Sequence, residues 1–136
     1  MNKSKEFYRI IDANFNRAKE GLRVCEDVAR YIWNQKGLTK SFKDLRHDLT
    51  QVAGTLGILK IVEGRDVQGD VGRPSTQSEF KRKDVDSVFL ANIQRVKESL
   101  RVLEEISKLL NPTVSEGFKS LRYKVYVLEQ KAVKKS

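Results

Sequence analysis

The sequence predicts an all-α fold of two repeated helical hairpins, about four main helices, with pseudo-twofold symmetry and a Gly/Asp-rich connecting loop. Two observations carry this prediction. Residues 13–32 (ANFNRAKEGLRVCEDVARYI) recur as residues 91–110 (ANIQRVKESLRVLEEISKLL) at an offset of 78, with nine of twenty positions identical. Residues 42–49 (FKDLRHDL) recur as residues 118–125 (FKSLRYKV) at an offset of 76. Self-similarity at a fixed spacing is typical of a duplicated structural unit.

The first long helix is indicated by apolar residues in steps of four and three, which place them on one face. These residues are Ile11, Phe15, Ala18, Leu22, Cys25, Ala29 and Ile32. Ser4 is a suitable start, and Gly37 follows the end. Adding 78 to each position yields nearly the same stripe between Phe89 and Leu110, which predicts the equivalent helix of the second repeat.

A second helix follows in each repeat. Ser41-x-x-Asp44 and Thr113-x-x-Glu116 have the spacing of N-terminal caps, and Pro112 fits just before the latter. The duplicated unit is therefore a helical hairpin with two residues deleted at its turn in the second copy. We expect one domain with repeat 1 at about 4–63, the loop at 64–83 and repeat 2 at about 84–133.

Composition narrows the class of protein. A length of 136 residues fits a single domain, and a net charge of +9 predicts anionic partners such as phosphorylated small molecules, nucleic acid or an acidic membrane surface. The first residues contain no apolar run of a signal peptide, and the stretch 52–62 is too short to span a membrane. The single cysteine excludes an internal disulfide, so we expect a cytoplasmic protein.

The identical positions of the repeat are mostly polar or charged. A duplicated core would repeat as interchangeable apolar residues, so repetition of particular polar residues indicates a repeated task. Asn14 and Arg17 are neighbours beside the apolar stripe, and Asn92 and Arg95 repeat this arrangement. A second interpretation stays open, in which the charged neighbours are solvated surface pairs that contribute little.

The linker 64–86 is long and polar, and such linkers in compact domains are usually functional or disordered. Its segment 65–72 (RDVQGDVG) is the strongest candidate for a site. The alternative is an ordinary Asp/Gly-rich turn. The segment is not a Walker loop, because the G-x-x-x-x-G-K-[ST] pattern is absent.

Three kinds of residue in that segment suit phosphate chemistry. Asp66 and Asp70 could supply the one or two carboxylates that Mg²⁺ uses beside substrate phosphates. Gly69 and Gly72 would let backbone amides approach an anion. Arg65 and Arg73, which directly follows the segment, could bind phosphate oxygens bidentately.

The chain resembles a known family in three separated blocks, 8–31 (YRIIDANFNRAKEGLRVCEDVARY), 65–72 (RDVQGDVG) and 91–105 (ANIQRVKESLRVLEE). They are similar to the helical domain at the N-terminus of some bacterial thiamine phosphate synthases, and we expect this domain to stand alone here. That family is regarded as a monofunctional hydroxymethylpyrimidine phosphate kinase. The resemblance implies an enzyme of thiamine biosynthesis that uses ATP and Mg²⁺ to phosphorylate 4-amino-5-hydroxymethyl-2-methylpyrimidine phosphate. It also implies that the chain does not itself join the pyrimidine and thiazole halves.

Under this hypothesis Arg65, Asp66 and Asp70 are catalytic, and the two aspartates hold the metal. The predicted residues for substrate and phosphate binding are Asn14, Arg17, Glu20, Arg23, Glu26, Gly69, Gly72, Asn92, Arg95, Glu98, Arg101 and Glu104. Because the loop is not repeated, we expect one asymmetric site in which one helical copy holds the nucleotide phosphates and the other the pyrimidine phosphate.

Two other functions remain open. A basic nucleic-acid-binding protein would explain the charge, but lysines and arginines alternate with acids along both long helices, which disfavours it. A non-catalytic helical module that binds or regulates thiamine phosphate synthase would need no activity of its own. A homodimer is a further possibility for such an open helical unit, and no membrane partner is expected.

Overall fold

The computed structural model describes residues 3–76 and 81–135, and these contain helices, turns and loops but no strand. The helices are α1 (Lys3–Asp27), α2 (Lys36–Gly54), α3 (Ile58–Glu63), α4 (Val85–Ser107) and α5 (Pro112–Lys135). Four are long and form two hairpins, which confirms the all-α prediction. None of the helices in the described ranges is long and apolar enough to cross a membrane.

The two hairpins pack side by side as a bundle in which α1 contacts α2 and α4, while α5 contacts α4 and α2. Helices α1 and α4 cross closely at Gly21, where a Cβ atom would lie 2.7 Å from Val96 Cγ2 and 3.0 Å from the Asn92 carbonyl oxygen. Further along α1, the Cys25 thiol donates to the Phe89 carbonyl at 3.9 Å. Residues later in α1 contact residues earlier in α4, so these two helices are antiparallel. The chain must therefore return along the bundle between the end of α2 and the start of α4, and α3 is the helix in this connection.

The predicted apolar stripes form most of the core. Ile11, Ala18, Leu22 and Cys25 are fully or almost fully buried, as are their second-copy equivalents Phe89, Val96, Leu100 and Leu103. At one end of the bundle the Phe89 ring packs against Trp33 and Phe42, with centroids 4.9 and 5.9 Å apart. Residues of both repeats thus contribute to one continuous apolar core.

The two extra residues of the first hairpin lie in its turn. Helix α1 continues as a π-helical turn over Val28–Ile32, closed by the bond from the Trp33 amide to the Val28 carbonyl at 3.0 Å. Asn34 follows with a φ of 52°, a conformation that asparagine tolerates better than most residues. The wider π-helical turn absorbs added length without displacing α2. Helices α2 and α5 consequently begin at equivalent positions, 36 and 112.

The predicted caps at Ser41 and Thr113 are wrong, because both residues lie inside helices. Helix α2 begins five residues before Ser41. Asn111 caps α5 instead, since its side-chain oxygen accepts from the Thr113 and Val114 amides at 3.0 and 3.3 Å. Helix α4 begins after Asp84, close to the predicted position.

Candidate functional site

A cleft of about 810 Å³ lies between the first half of α1 and the loop after α3. It contains charged residues of both signs from these two segments. They are Glu6, Arg9, Asp12, Arg17, Glu20, Arg65, Asp66 and Asp70. The structure thus brings the three loop residues predicted to be catalytic together with Asn14, Arg17 and Glu20 of the first repeat.

The loop reaches α1 because Gly64 has no side chain. A Cβ atom at this position would lie 2.8 Å from the Arg9 amide nitrogen and 2.9 Å from the Tyr8 carbonyl carbon. These are backbone atoms of a helix and cannot move aside cheaply, so this close approach requires glycine. The next two residues of the chain, Arg65 and Asp66, are thereby placed directly over α1.

Two contacts then hold the loop in place. Arg65 binds the Asp12 carboxylate bidentately, with Nε–Oδ2 and Nη2–Oδ1 distances of 2.8 Å each. Arg9 Nη2 donates to the Asp66 carbonyl at 3.2 Å. The hydrogen bonds to Asp12 also raise the pKa of Arg65 above its ordinary value, so its guanidinium carries a permanent positive charge in the cleft.

Within the loop, the two aspartates bind amides of their own turns. Asp66 Oδ1 accepts from the Gly69 amide at 2.8 Å, and Asp70 Oδ1 accepts from the Gly72 amide at 2.9 Å. These amides, predicted to approach an anion, are thus used inside the loop, as is usual for Asx turns. A Cβ at Gly69 would also collide with the Asp66 carboxylate.

The Oδ2 atom of each aspartate forms no hydrogen bond within the described residues, so each could offer one oxygen to a cation. The described ranges contain no group of three or more His, Cys, Asp or Glu side chains that could hold a metal ion. A magnesium ion between Asp66 and Asp70 would therefore need water or ligand oxygens. The expected use of Mg²⁺ and of ATP stays a prediction.

The repeated glutamates Glu26 and Glu104 lie in the interior, 3% and 4% exposed. Glu26 accepts from Arg46 Nε at 2.8 Å, and Glu104 accepts from Nε and Nη2 of Arg122 at 3.0 and 2.9 Å. Arg46 and Arg122 are equivalent positions at the offset of 76. The same buried ion pair thus joins the two helices of each hairpin, and packing explains this glutamate better than the predicted ligand binding does.

The remaining predicted residues lie outside the lining of the cleft. They are Arg23, Arg73, Asn92, Arg95, Glu98 and Arg101. Asn92 donates to the Val88 carbonyl at 2.8 Å, as Asn14 does to the Ile10 carbonyl at 3.0 Å, so the asparagine also has a repeated local contact. Arg101 pairs with Glu104 at 3.3 Å. The cleft is therefore lined by the first copy of the repeat and the loop, not by both copies.

Sequence reasoning missed Asp12 and Arg9, which hold the loop. Asp12 is buried, and Asn16 Nδ2 donates to its Oδ1 at 3.1 Å. The signal that could have found them is a departure from the repeat, because the second copy has Leu90 and Ser87 at the equivalent positions. A comparison of identical positions does not find residues, such as these two, that occur in the first copy only.

Comparison with known proteins places the chain in context. The model of the ThiD2 family matches residues 9–131. The thiamine-phosphate synthase of Nostoc punctiforme is 42% identical over 123 residues, which cover 90% of this chain and 34% of that protein. That of Rhodopirellula baltica is 40% identical over 124 residues, covering 90% and 33%. The chain thus spans about a third of the length of these relatives, and no solved structure matches.

These names contradict the prediction of a phosphotransferase of the kinase type. The relatives are called thiamine-phosphate synthases, which are transferases but not hydroxymethylpyrimidine phosphate kinases. They support the predicted setting, thiamine biosynthesis. They also favour the alternative of a helical module related to thiamine-phosphate synthase.

Proposed function

The chain belongs to the ThiD2 family, and we propose that it is a non-catalytic helical module that acts with a thiamine-phosphate synthase and binds a phosphorylated pyrimidine of thiamine biosynthesis in its cleft. The observation that carries this proposal is the pattern of coverage. Nine tenths of the chain corresponds to only a third of each synthase. A unit that folds around its own core and recurs inside a longer enzyme is suited to serve that enzyme's chemistry.

The chemistry of the cleft supports a small phosphorylated ligand. Arg17 forms no ion pair or hydrogen bond with another residue in the described ranges, and it lines the cleft with Arg65. Arginine guanidinium groups bind phosphate oxygens through charge-assisted hydrogen bonds. The carboxylates of Glu6 and Glu20 could accept hydrogen bonds from the amino group of an aminopyrimidine. A volume of about 810 Å³ is typical of a small-molecule site.

The same residues disfavour nucleic acid as the ligand. Five carboxylates and three arginines line the cleft, and the paired Asp12 and Arg65 offset one of each. A polyphosphate backbone would meet the carboxylates along with the arginines, and like charges repel. A compact ligand with one phosphate and several hydrogen-bond donors fits this mixture of signs better.

The short helix α3, just before the cleft loop, has an apolar outer surface that could contact the synthase. Leu59 is 78% exposed, and Ile58 and Val62 are also exposed. Contiguous exposed apolar residues mark interaction sites more often than scattered ones do. We propose this face, defined by these three residues, as the contact with thiamine-phosphate synthase.

The test of the partner is association with the thiamine-phosphate synthase encoded in the same genome, measured by analytical ultracentrifugation. We expect a complex that Leu59→Lys weakens by about tenfold or more, since a buried charge is costly at an interface. Ile32→Lys is the matched control, because Ile32 is also exposed but lies at the first hairpin turn, at the other end of α1. Absence of a complex, or equal effects of the two variants, would contradict the proposed contact.

The test of the ligand is calorimetric titration of the purified chain with 4-amino-5-hydroxymethyl-2-methylpyrimidine phosphate. Saturable binding with a stoichiometry near one is expected from a single cleft. The unphosphorylated alcohol should bind more weakly, because the arginines would lose their anionic partner. Failure to bind the phosphate in the presence or absence of Mg²⁺ would exclude this ligand.

A further inference from the structure

Among the described residues, three ion pairs join an almost fully buried carboxylate of α1 or α4 to an arginine of a different helix or loop. Two of them, centred on Glu26 and Glu104, are copies of each other and join the helices of the hairpins. The third, between Asp12 and Arg65, has no copy, because Leu90 occupies the position equivalent to Asp12. A pair that breaks the repeat calls for an explanation other than the repeated architecture.

The unrepeated pair also differs from the two repeated pairs in the exposed fraction of its arginine side chain. The Arg46 and Arg122 side chains are 16% and 11% exposed, whereas that of Arg65 is 45% exposed and lines the cleft. Arginine carries five N–H donors, and Asp12 takes one from Nε and one from Nη2. Three donors of Arg65 are therefore not used by Asp12.

Asp12 is itself held firmly. Its carboxylate is buried on α1, and Asn16 donates to Oδ1 from one turn further along the same helix. Gly64 brings the backbone before Arg65 into contact with α1. The Arg65 side chain is thus held at both ends, at its backbone by the contact of Gly64 with α1 and at its guanidinium group by Asp12. A long side chain that is fixed before binding loses little conformational freedom when the ligand arrives.

We propose that Asp12 is a positioning residue that orients Arg65 to bind a phosphate monoester dianion in the cleft, with Arg17 as the second cation. This inference rests on the proposed function and names the part of the ligand that the cleft selects. Fork-shaped guanidinium donors in a fixed plane match two phosphate oxygens. The Arg17 guanidinium, which has no ion-pair or hydrogen-bond partner among the described residues, supplies additional charge from α1.

The competing explanation is that Asp12 only pins the loop to α1. A loop pin would affect every ligand of the cleft alike, whereas an orienting carboxylate affects the phosphate selectively. The decisive quantity is therefore the ratio of affinities for the pyrimidine phosphate and its unphosphorylated alcohol.

The experiment measures that ratio by calorimetry for the wild type, Asp12→Asn and Arg65→Lys. Each variant is first checked for native helicity, and Arg65→Lys keeps the charge and removes the fork if Asp12→Asn does not fold. We expect both substitutions to lower the ratio by about tenfold or more. Glu26→Gln is the matched control, a buried carboxylate pair on the same helix, and it should lower thermal stability while leaving the ratio unchanged.

Wild-type protein that binds neither compound would overturn the proposed ligand and this inference with it. Wild-type binding of the phosphate with an unchanged ratio in Asp12→Asn and Arg65→Lys would overturn the positioning role alone. Equal weakening of both compounds would assign Asp12 to loop attachment and likewise contradict the proposal.

Discussion

The repeated buried ion pair gives the sharpest prediction about stability. Glu104→Gln keeps the shape of the side chain and removes its charge. In the native protein this carboxylate accepts from Nε and Nη2 of Arg122 at 3.0 and 2.9 Å and pairs with Arg101 at 3.3 Å. The substitution leaves the Arg122 charge, with its side chain 11% exposed, without its carboxylate partner.

Removing one member of a buried ion pair costs roughly 3–5 kcal/mol. An amide keeps one acceptor oxygen, and the Tyr126 hydroxyl still accepts from Arg122 Nη1 at 2.8 Å. We therefore expect a loss of about 2–3 kcal/mol in the free energy of unfolding. For a domain of this size each kcal/mol lowers Tm by roughly 3–4 °C, so Tm should fall by about 6–12 °C.

Thermal and urea denaturation followed by far-UV circular dichroism measure this effect. Glu26→Gln should produce a loss of similar size, because its pair with Arg46 is the copy of this one. Glu105→Gln is the control: its carboxylate is exposed and its pairs are on the surface, where ion pairs contribute little, so its effect on stability should be much smaller. A loss for Glu104→Gln no larger than that of Glu105→Gln would refute the assignment of the repeated glutamate to packing.

Two further predictions concern the loop attachment and the buried thiol. Gly64→Ala should lower the free energy of unfolding by about 1–3 kcal/mol and weaken ligand binding, because the new Cβ would push the loop away from Arg9 and Tyr8. The control is Gly54→Ala, because a Cβ atom at Gly54 would meet open space. Equal stability of the two variants would contradict the close approach of the loop to α1. Burial, with a smaller contribution from Glu129, raises the pKa of the Cys25 thiol from 9.0 to about 12. The thiol of the native protein should therefore resist thiol reagents at pH 8, and rapid labelling of the native protein would contradict its burial. The protein should also lose stability as the pH rises from about 9 toward 12, because the thiol ionises in the unfolded state first.

The helical hairpins were predictable because the spacing of apolar residues and the internal repeat can be read directly from the sequence. The apolar stripe through Leu22 and its copy through Leu100 specify two amphipathic helices, and the second block of identity specifies their partners. Helix starts were less predictable. Ser41 has a favourable capping pattern, but the core contacts of Leu38 extend α2 toward its N-terminus and override that local preference.

The candidate site was predictable only in part, because the identity of a residue in both copies does not show which other residues it contacts. Glu26 and Glu104 look like repeated functional residues until their partners Arg46 and Arg122 are placed across the hairpins. Asp12 was missed for the opposite reason, since its partner is more than fifty residues away and its copy is a leucine. Pairings between distant segments depend on tertiary packing, which periodicity does not encode.

The central claim is that a phosphorylated ligand binds to the first copy of the repeat and not to the second. Arg17 and Arg95 occupy equivalent positions, but only Arg17 is among the residues that line the cleft. Calorimetric titration of Arg17→Ala and Arg95→Ala with the pyrimidine phosphate compares them directly. Loss of a charged hydrogen bond of about 1.5–3 kcal/mol predicts affinity weakened by roughly 10- to 150-fold for Arg17→Ala, with Arg95→Ala like wild type. Equal weakening by both substitutions, or by neither, would contradict the claim.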